Sequence, residues 1–459
     1  MSKIQMIHSA AAAAASFHFQ KLFIELPGTY GEIFPESGEP AASLDKWGLL
    51  MHEMTHYFQC ISTVLGQSII LNWMTVIQNA GSCVSKVDPL PVPMYSKEAK
   101  ANPDIQRAAE EISSYFRETN PLIGARHELR PESEATVQPE DSLYPYRFEH
   151  PNGGHSDAFA LRLTSPDGEA FGVPILGDAL TEGMAQCVQW IASNKKFAPA
   201  VLSERPCDPN PRGGAYDIYY TAIPRMVESR LPEWSVFITS IILCDAALCS
   251  RTPGKTLAEI VDNLKNLQPP PNLEGYKQIR RDLDQRLDLR EGRTFIRGKI
   301  DEALSDASNH SDVSAPLFER IYRLFRKSWE LRDKDPAAFI DSKYDKAFLD
   351  RVTPTLGSPP IFTRQDEEGS MVYPEDLLLR SYTFIYACYD LLTGLYFDGI
   401  PEPCPLLKSV ACRSAKTEAC TNNRLSIPPA QDGRNCVMAF ASSALGIQNR
   451  SLVVVVVNE

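Results

Sequence analysis

The segment SLDKWGLLMHEMTHYFQCISTVLG, residues 43–66, decides how this chain is read. Ser43 can cap a helix, and Asp45 near its start suits the positive end of the helix dipole. Leu50, Met54, Tyr57, Ile61 and Leu65 recur at three- and four-residue spacing, so the pattern predicts a helix to about Gly66 with one face in the core. Inside it stand His52, Glu53, Met54, Thr55 and His56. Positions four apart on a helix lie about 6 Å apart along one face, so both imidazoles reach a single metal ion, with Glu53 beside it. Zinc takes neutral imidazole nitrogens and a carboxylate and leaves a fourth position for water, whose proton a neighbouring carboxylate accepts. This is the chemistry needed to hydrolyse a stable amide. The competing reading is two partly exposed histidines beside a core. Composition alone would produce the pattern in about one such chain in a hundred, which favours the metal.

Working outward, Phe17 to Leu26 reads as a strand that stops at Pro27 and Gly28, and Ser68 to Ile77 as a second apolar segment. From about 87 to 154 the chain is rich in Pro, Glu, Ser and Asn, and only Ile105 to Phe116 looks helical, which predicts a surface insertion or lid. Ala158–Leu163 and Ala170–Ile175 flank the turn-forming Ser165, Pro166, Asp167 and Gly168, the pattern of a β-hairpin. Helices are expected over Asp178–Ser193, Tyr216–Ser229 and Trp234–Cys249. After Pro269, Pro270 and Pro271, residues from Glu274 to Arg351 alternate charges with Leu, Ile and Phe at helical spacing. A helix at Pro374–Leu395, a loop-rich cysteine region and a strand at Leu452–Val457 follow. The expected fold is α+β and mostly helical. Its divisions are a core over 1–268, a charged helical unit over 272–352 and a helical, cysteine-containing unit over 361–459.

Two histidines do not complete a catalytic zinc site. Gln59 and Ser62 stand three and six residues beyond His56, where a metzincin places Gly and its third His, so that class is excluded. Glu182, within Leu180-Thr181-Glu182-Gly183-Met184-Ala185 on the helix after the hairpin, is the better candidate, with His150 and His155 in competition. A carboxylate favoured by the helix dipole is the plain alternative for Glu182. Gln59 follows His56 on nearly the same face and can bond to a ligand, or simply be a polar helix position.

On these residues, the His52-Glu53-Met54-Thr55-His56 run and Glu182-Gly183-Met184-Ala185, the sequence resembles the gluzincin metallopeptidases. The resemblance implies a zincin-like catalytic core with a small antiparallel sheet, Zn2+ as cofactor, His52, His56 and Glu182 as its ligands, Glu53 as general base, and a peptide or protein as substrate. Two departures stand out. The interval from His56 to Glu182 is 182 − 56 = 126 residues, longer than in compact gluzincins, and Gln186 occupies the place where the thermolysin-like branch carries an Asp. Tyr216, Tyr219 and Tyr220 are candidates for supporting a developing oxyanion, against core packing. The alternatives are hydrolysis of a non-peptide substrate, and a partner-binding protein that keeps a peptidase-like core without turnover.

Composition excludes several classes. With 46 Lys and Arg against 58 Asp and Glu, the net charge is −12, which argues against docking on nucleic acid or an anionic leaflet. The most apolar run, Trp234–Ala247, is short of a membrane span and contains Asp245. The N-terminal alanine run makes a poor signal peptide, and the expected location is cytoplasmic. Eleven cysteines read as mostly reduced thiols, Cys60, Cys187 and Cys388 as buried ones. Cys404, Cys412, Cys420 and Cys436 lack the paired spacing of a zinc ribbon; thiols, a structural metal and disulfides all stay open. The charged helices of the second unit read as a solvated surface, with a protein-binding face as the minority reading.

Overall fold

The computed structural model describes residues 16–18, 22–26, 44–84, 88–94, 136–137, 143–149, 155–164, 170–175, 177–194, 235–264, 269–309, 315–363, 376–395, 418–422, 436–447 and 452–454, with shorter pieces within 96–110, 223–231 and 403–404. Over these residues the chain is mostly helical.

The helix bearing the histidines, α1 (Leu44–Ser62), buries Leu50, Met54, Tyr57 and Ile61 as its spacing predicts. It stops at Ser62, short of the expected Gly66, and the next helix, α2 (Val64–Val84), leaves at an angle of 74°. Thr63 makes the break. Its hydroxyl donates to the Gln59 carbonyl at 2.7 Å and accepts the Gly66 N–H at 3.1 Å. A Cβ on Gly66 would lie 2.3 Å from the Gln59 carbonyl oxygen and 2.5 Å from Cys60 Cα, so the bend requires glycine there.

The stretch expected as one strand is two, β1 (Ser16–His18) and β2 (Phe23–Leu26), paired antiparallel. Leu22, with φ 54°, leads into β2 in the left-handed region that an apolar residue seldom occupies. A distant strand, β8 (Ile361–Thr363), adds in parallel with Ile24 opposite Ile361. The stretch 87–154 carries more structure than one helical piece. It supplies β3 (Leu90–Val92), parallel to β9 (Leu452–Val454), together with β4 (Thr136–Val137) and β5 (Leu143–Glu149). Pro145 obscured β5 in the sequence, because proline argues against a strand interior. The hairpin is present as β6 (His155–Thr164) against β7 (Ala170–Pro174). In this antiparallel sheet β6 is central, with β5 and β4 along one edge and β7 along the other.

Next comes α3 (Gly177–Asn194), packed lengthwise on α1, and behind it α4 (Val236–Leu248), whose thirteen residues are all buried. Such a helix has no solvent face, which explains why it is apolar all round. Against α4 lie α5 (Pro253–Leu264) and α6 (Leu273–Asp284); Asn272 caps α6 by accepting the Gly275 N–H. Two long helices, α7 (Leu287–Asn309) and α8 (Ala315–Lys334), pack together, and α8 also touches α1 and the short α9 (Lys346–Leu356). The remaining helices are α10 (Asp376–Thr393), packed on α8, α11 (Glu418–Asn422), and α12 (Val437–Ala444), packed on α10. No single described helix is long and apolar enough to cross a membrane.

Candidate metal centre

Four residues apart on α1, His52 and His56 turn their rings toward each other, with centroids 4.8 Å apart and Nε2 atoms at 3.1 Å. The α3 helix brings Glu182 to the same point. Its Oε2 lies 3.4 Å from His52 Nε2 and 3.2 Å from His56 Nε2. The two helices come this close because Gly48, one turn before His52, has no side chain: a Cβ there would meet Ser193 Oγ at 2.0 Å and the Gln189 carbonyl oxygen at 3.1 Å.

The three atoms form a triangle with edges of 3.1, 3.2 and 3.4 Å. A tetrahedral zinc with bonds of about 2.0 to 2.1 Å holds its ligand atoms about 3.3 Å apart, so the spacing fits that ion. The site is recessed: His52, Glu53 and His56 are 8%, 4% and 4% exposed, while the Glu182 side chain keeps 17%. Glu182 Oε2 is itself buried and accepts no hydrogen bond among the described residues. A buried carboxylate oxygen so placed costs free energy unless a cation meets it. In the metal-free centre the imidazoles supply that positive charge, and a metal ion would take the place of their protons. Burial disfavours the charged form of His56, but the Glu182 carboxylate outweighs it and pushes the imidazole up to about 9. In return, although burial opposes its ionisation, the two imidazoles hold Glu182 well below the usual carboxylate range.

Gln59 joins this centre. Its side-chain oxygen lies 3.0 Å from His56 Nδ1, and its amide nitrogen donates to the Thr181 carbonyl at 3.0 Å. Of the competing third ligands, His150 lies outside the described residues, as does the side chain of His155. Tyr216, Tyr219, Tyr220 and Cys412 also lie outside them. Cys60, Cys187 and Cys388 are buried, and burial pushes the Cys60 and Cys388 thiols well up. The Cys404 N–H donates to the Cys420 carbonyl at 2.7 Å.

Behind α1 is a charged cluster that no sequence motif marks. Asp245 of α4, 1% exposed, accepts from Arg280 Nε at 2.6 Å and from Arg332 Nη1 and Nη2 at 3.0 and 2.7 Å. Arg332 Nε also donates to the Ser62 carbonyl at 2.6 Å, so the cluster anchors the end of the histidine-bearing helix. A signal was present. Asp245 interrupts an apolar run, and Arg332 continues the buried stripe Phe318, Ile321, Tyr322, Phe325, Trp329 at helical spacing, a position that predicts burial whatever the residue type. The cavity between this cluster and Gln59, about 10 Å³, is at the lower limit for a single water and does not accommodate a substrate.

Compared with protein-family models, curated proteins and solved structures, the chain matches none of them.

Proposed function

We propose that this protein is a zinc-dependent hydrolase that cleaves peptide bonds, built on a zincin-like core of gluzincin type. One observation carries the reading. Two imidazole nitrogens and a carboxylate oxygen, with His56 and Glu182 126 residues apart in sequence, converge with edges of 3.1 to 3.4 Å, beside a buried glutamate.

In this reading His52, His56 and Glu182 hold the ion, and bound zinc acidifies water and polarises a carbonyl oxygen. Glu53 adjoins His52 on α1 and is 4% exposed, a setting in which a carboxylate exchanges protons with a reactant rather than with bulk solvent. It accepts the proton of the attacking water and returns it to the leaving amine. Gly48 keeps Glu182 within reach of the histidines. The substrate is a peptide or protein, and the setting is cytoplasmic, supported by an odd number of cysteines in no dense framework.

The test measures zinc by elemental mass spectrometry, and hydrolysis of a defined peptide library, for wild type, His56→Ala, Glu182→Ala and Glu53→Gln. Wild type should hold about one zinc, both ligand variants should lose it, and Glu53→Gln should keep zinc with hydrolysis reduced about 10²-fold or more. A wild type that binds no supplied zinc overturns the proposal. One that binds zinc and hydrolyses no peptide sinks the peptidase part alone.

A further inference from the structure

Gln59 bonds to two groups, and the fixed role of one determines the role of the other. The Thr181 carbonyl, 3.0 Å from Gln59 Nε2, can only accept, so the amide NH2 must face it. This leaves the amide oxygen against His56 Nδ1 at 3.0 Å, and an amide oxygen also only accepts. His56 Nδ1 therefore carries a hydrogen. In the neutral imidazole Nε2 then presents its lone pair, and that atom is the one 3.2 Å from Glu182 Oε2 and 3.1 Å from His52 Nε2. Flipping the amide would set its oxygen against the Thr181 carbonyl, so the orientation has no competitor. Gln59 is 2% exposed, which shields both bonds from water.

The second bond matters as much as the first. Thr181 directly precedes Glu182, so the side chain that orients one ligand on α1 also registers the α3 backbone that carries another. We propose that Gln59 is a positioning residue for the metal, selecting the Nδ1–H form of His56 and tying Glu182 to it. This rests on the zinc reading above and adds a residue that touches neither ion nor substrate. The pattern His-x-x-Gln after the second histidine is then functional in this chain, because a glutamine three residues on reaches back to Nδ1 over the same helix face.

The test measures Zn2+ affinity of the full chain by competition with a chromophoric chelator, for wild type, Gln59→Leu, Gln59→Met and Gln59→Glu. Thermal melts of the zinc-free proteins control for folding, and two apolar replacements guard against one failing to fold. Removing the amide should weaken zinc by about ten- to a hundredfold. Gln59→Glu keeps an acceptor for Nδ1–H but has no donor for the Thr181 carbonyl, so it should keep the His56 tautomer and still bind zinc more weakly than wild type. In zinc-loaded protein, NMR should show a slowly exchanging His56 Nδ1–H in wild type and Gln59→Glu, lost in Gln59→Leu. A folded Gln59→Leu or Gln59→Met that binds zinc as tightly as wild type overturns the proposal. So does a His56 Nδ1–H that exchanges as slowly in Gln59→Leu as in wild type, which would make Gln59 a packing residue. If wild type binds no zinc the metal reading fails first, and this inference with it.

Discussion

Asp245→Asn removes one charge and leaves two guanidinium groups buried. Arg280 and Arg332 are 0% and 3% exposed, and three of their N–H groups converge on this carboxylate at 2.6 to 3.0 Å. Breaking a buried charge cluster costs about 3 to 5 kcal/mol. The same contacts set a pH dependence. Burial raises the Asp245 carboxyl, but Arg332 and then Arg280 overcome this and lower it from 3.8 to about 2. Because the folded value lies below the unfolded one, the stabilisation is fully present above about pH 4 and is lost as pH falls through about 2. The linkage amounts to about 1 kcal/mol lost by pH 3 and about 2 kcal/mol by pH 2. The assay is urea denaturation of zinc-free wild type and variant at pH 7 and pH 3. With a slope of about 3 kcal/mol/M, the variant's midpoint at pH 7 should fall by about 1 M or more. Between pH 7 and pH 3 wild type should lose about 1 kcal/mol more than the variant. A pH 7 midpoint shift below about 0.3 M would refute the reasoning, as would identical acid losses, since either means that the carboxylate is not what holds the two arginines.

Three further outcomes follow from the geometry. Gly66→Ala forces a methyl to within 2.3 to 2.7 Å of backbone atoms of Gln59 and Cys60 and should destabilise by several kcal/mol in a thermal melt, whereas Gly298→Ala, with nothing within 4 Å, should stabilise α7 by about 0.5 to 1 kcal/mol. Zn2+ at a hundred times its dissociation constant should stabilise wild type by about 2.7 kcal/mol, a rise in melting temperature that a chelator reverses and that His56→Ala lacks. Tyr57 donates to the Leu356 carbonyl at 2.6 Å and bonds Tyr382 at 2.8 Å, so Tyr57→Phe should cost about 1 to 3 kcal/mol, read as a shift in the denaturation midpoint.

Legibility followed the range of the interactions. The paired histidines, the buried stripe of α1 and the boundaries of α3 could be read directly, since three- and four-residue spacing is a property of the helix alone. The end of α1 could not. Residues 43–66 carry one unbroken helical pattern, and the break at Thr63 depends on hydroxyl bonding at Thr63 and on Arg332, far along the chain, meeting the Ser62 carbonyl. Proline hid β5, and β2 gains its parallel neighbour from residue 361 onward, a pairing with no local signature.

By itself the sequence determined which chemistry was available: two imidazoles on one helical turn, a carboxylate next to them, and a second helix opening on a glutamate. The tertiary structure decided that Glu182 meets both histidines, through the gap at Gly48 and the Gln59 bond to Thr181. It alone also revealed that a buried aspartate gathers Arg280 and Arg332 behind the site. The physical reason is one of distance along the chain. Periodicity encodes which side of a helix is buried, whereas the partner of a buried polar group is set by whichever remote segment packs there.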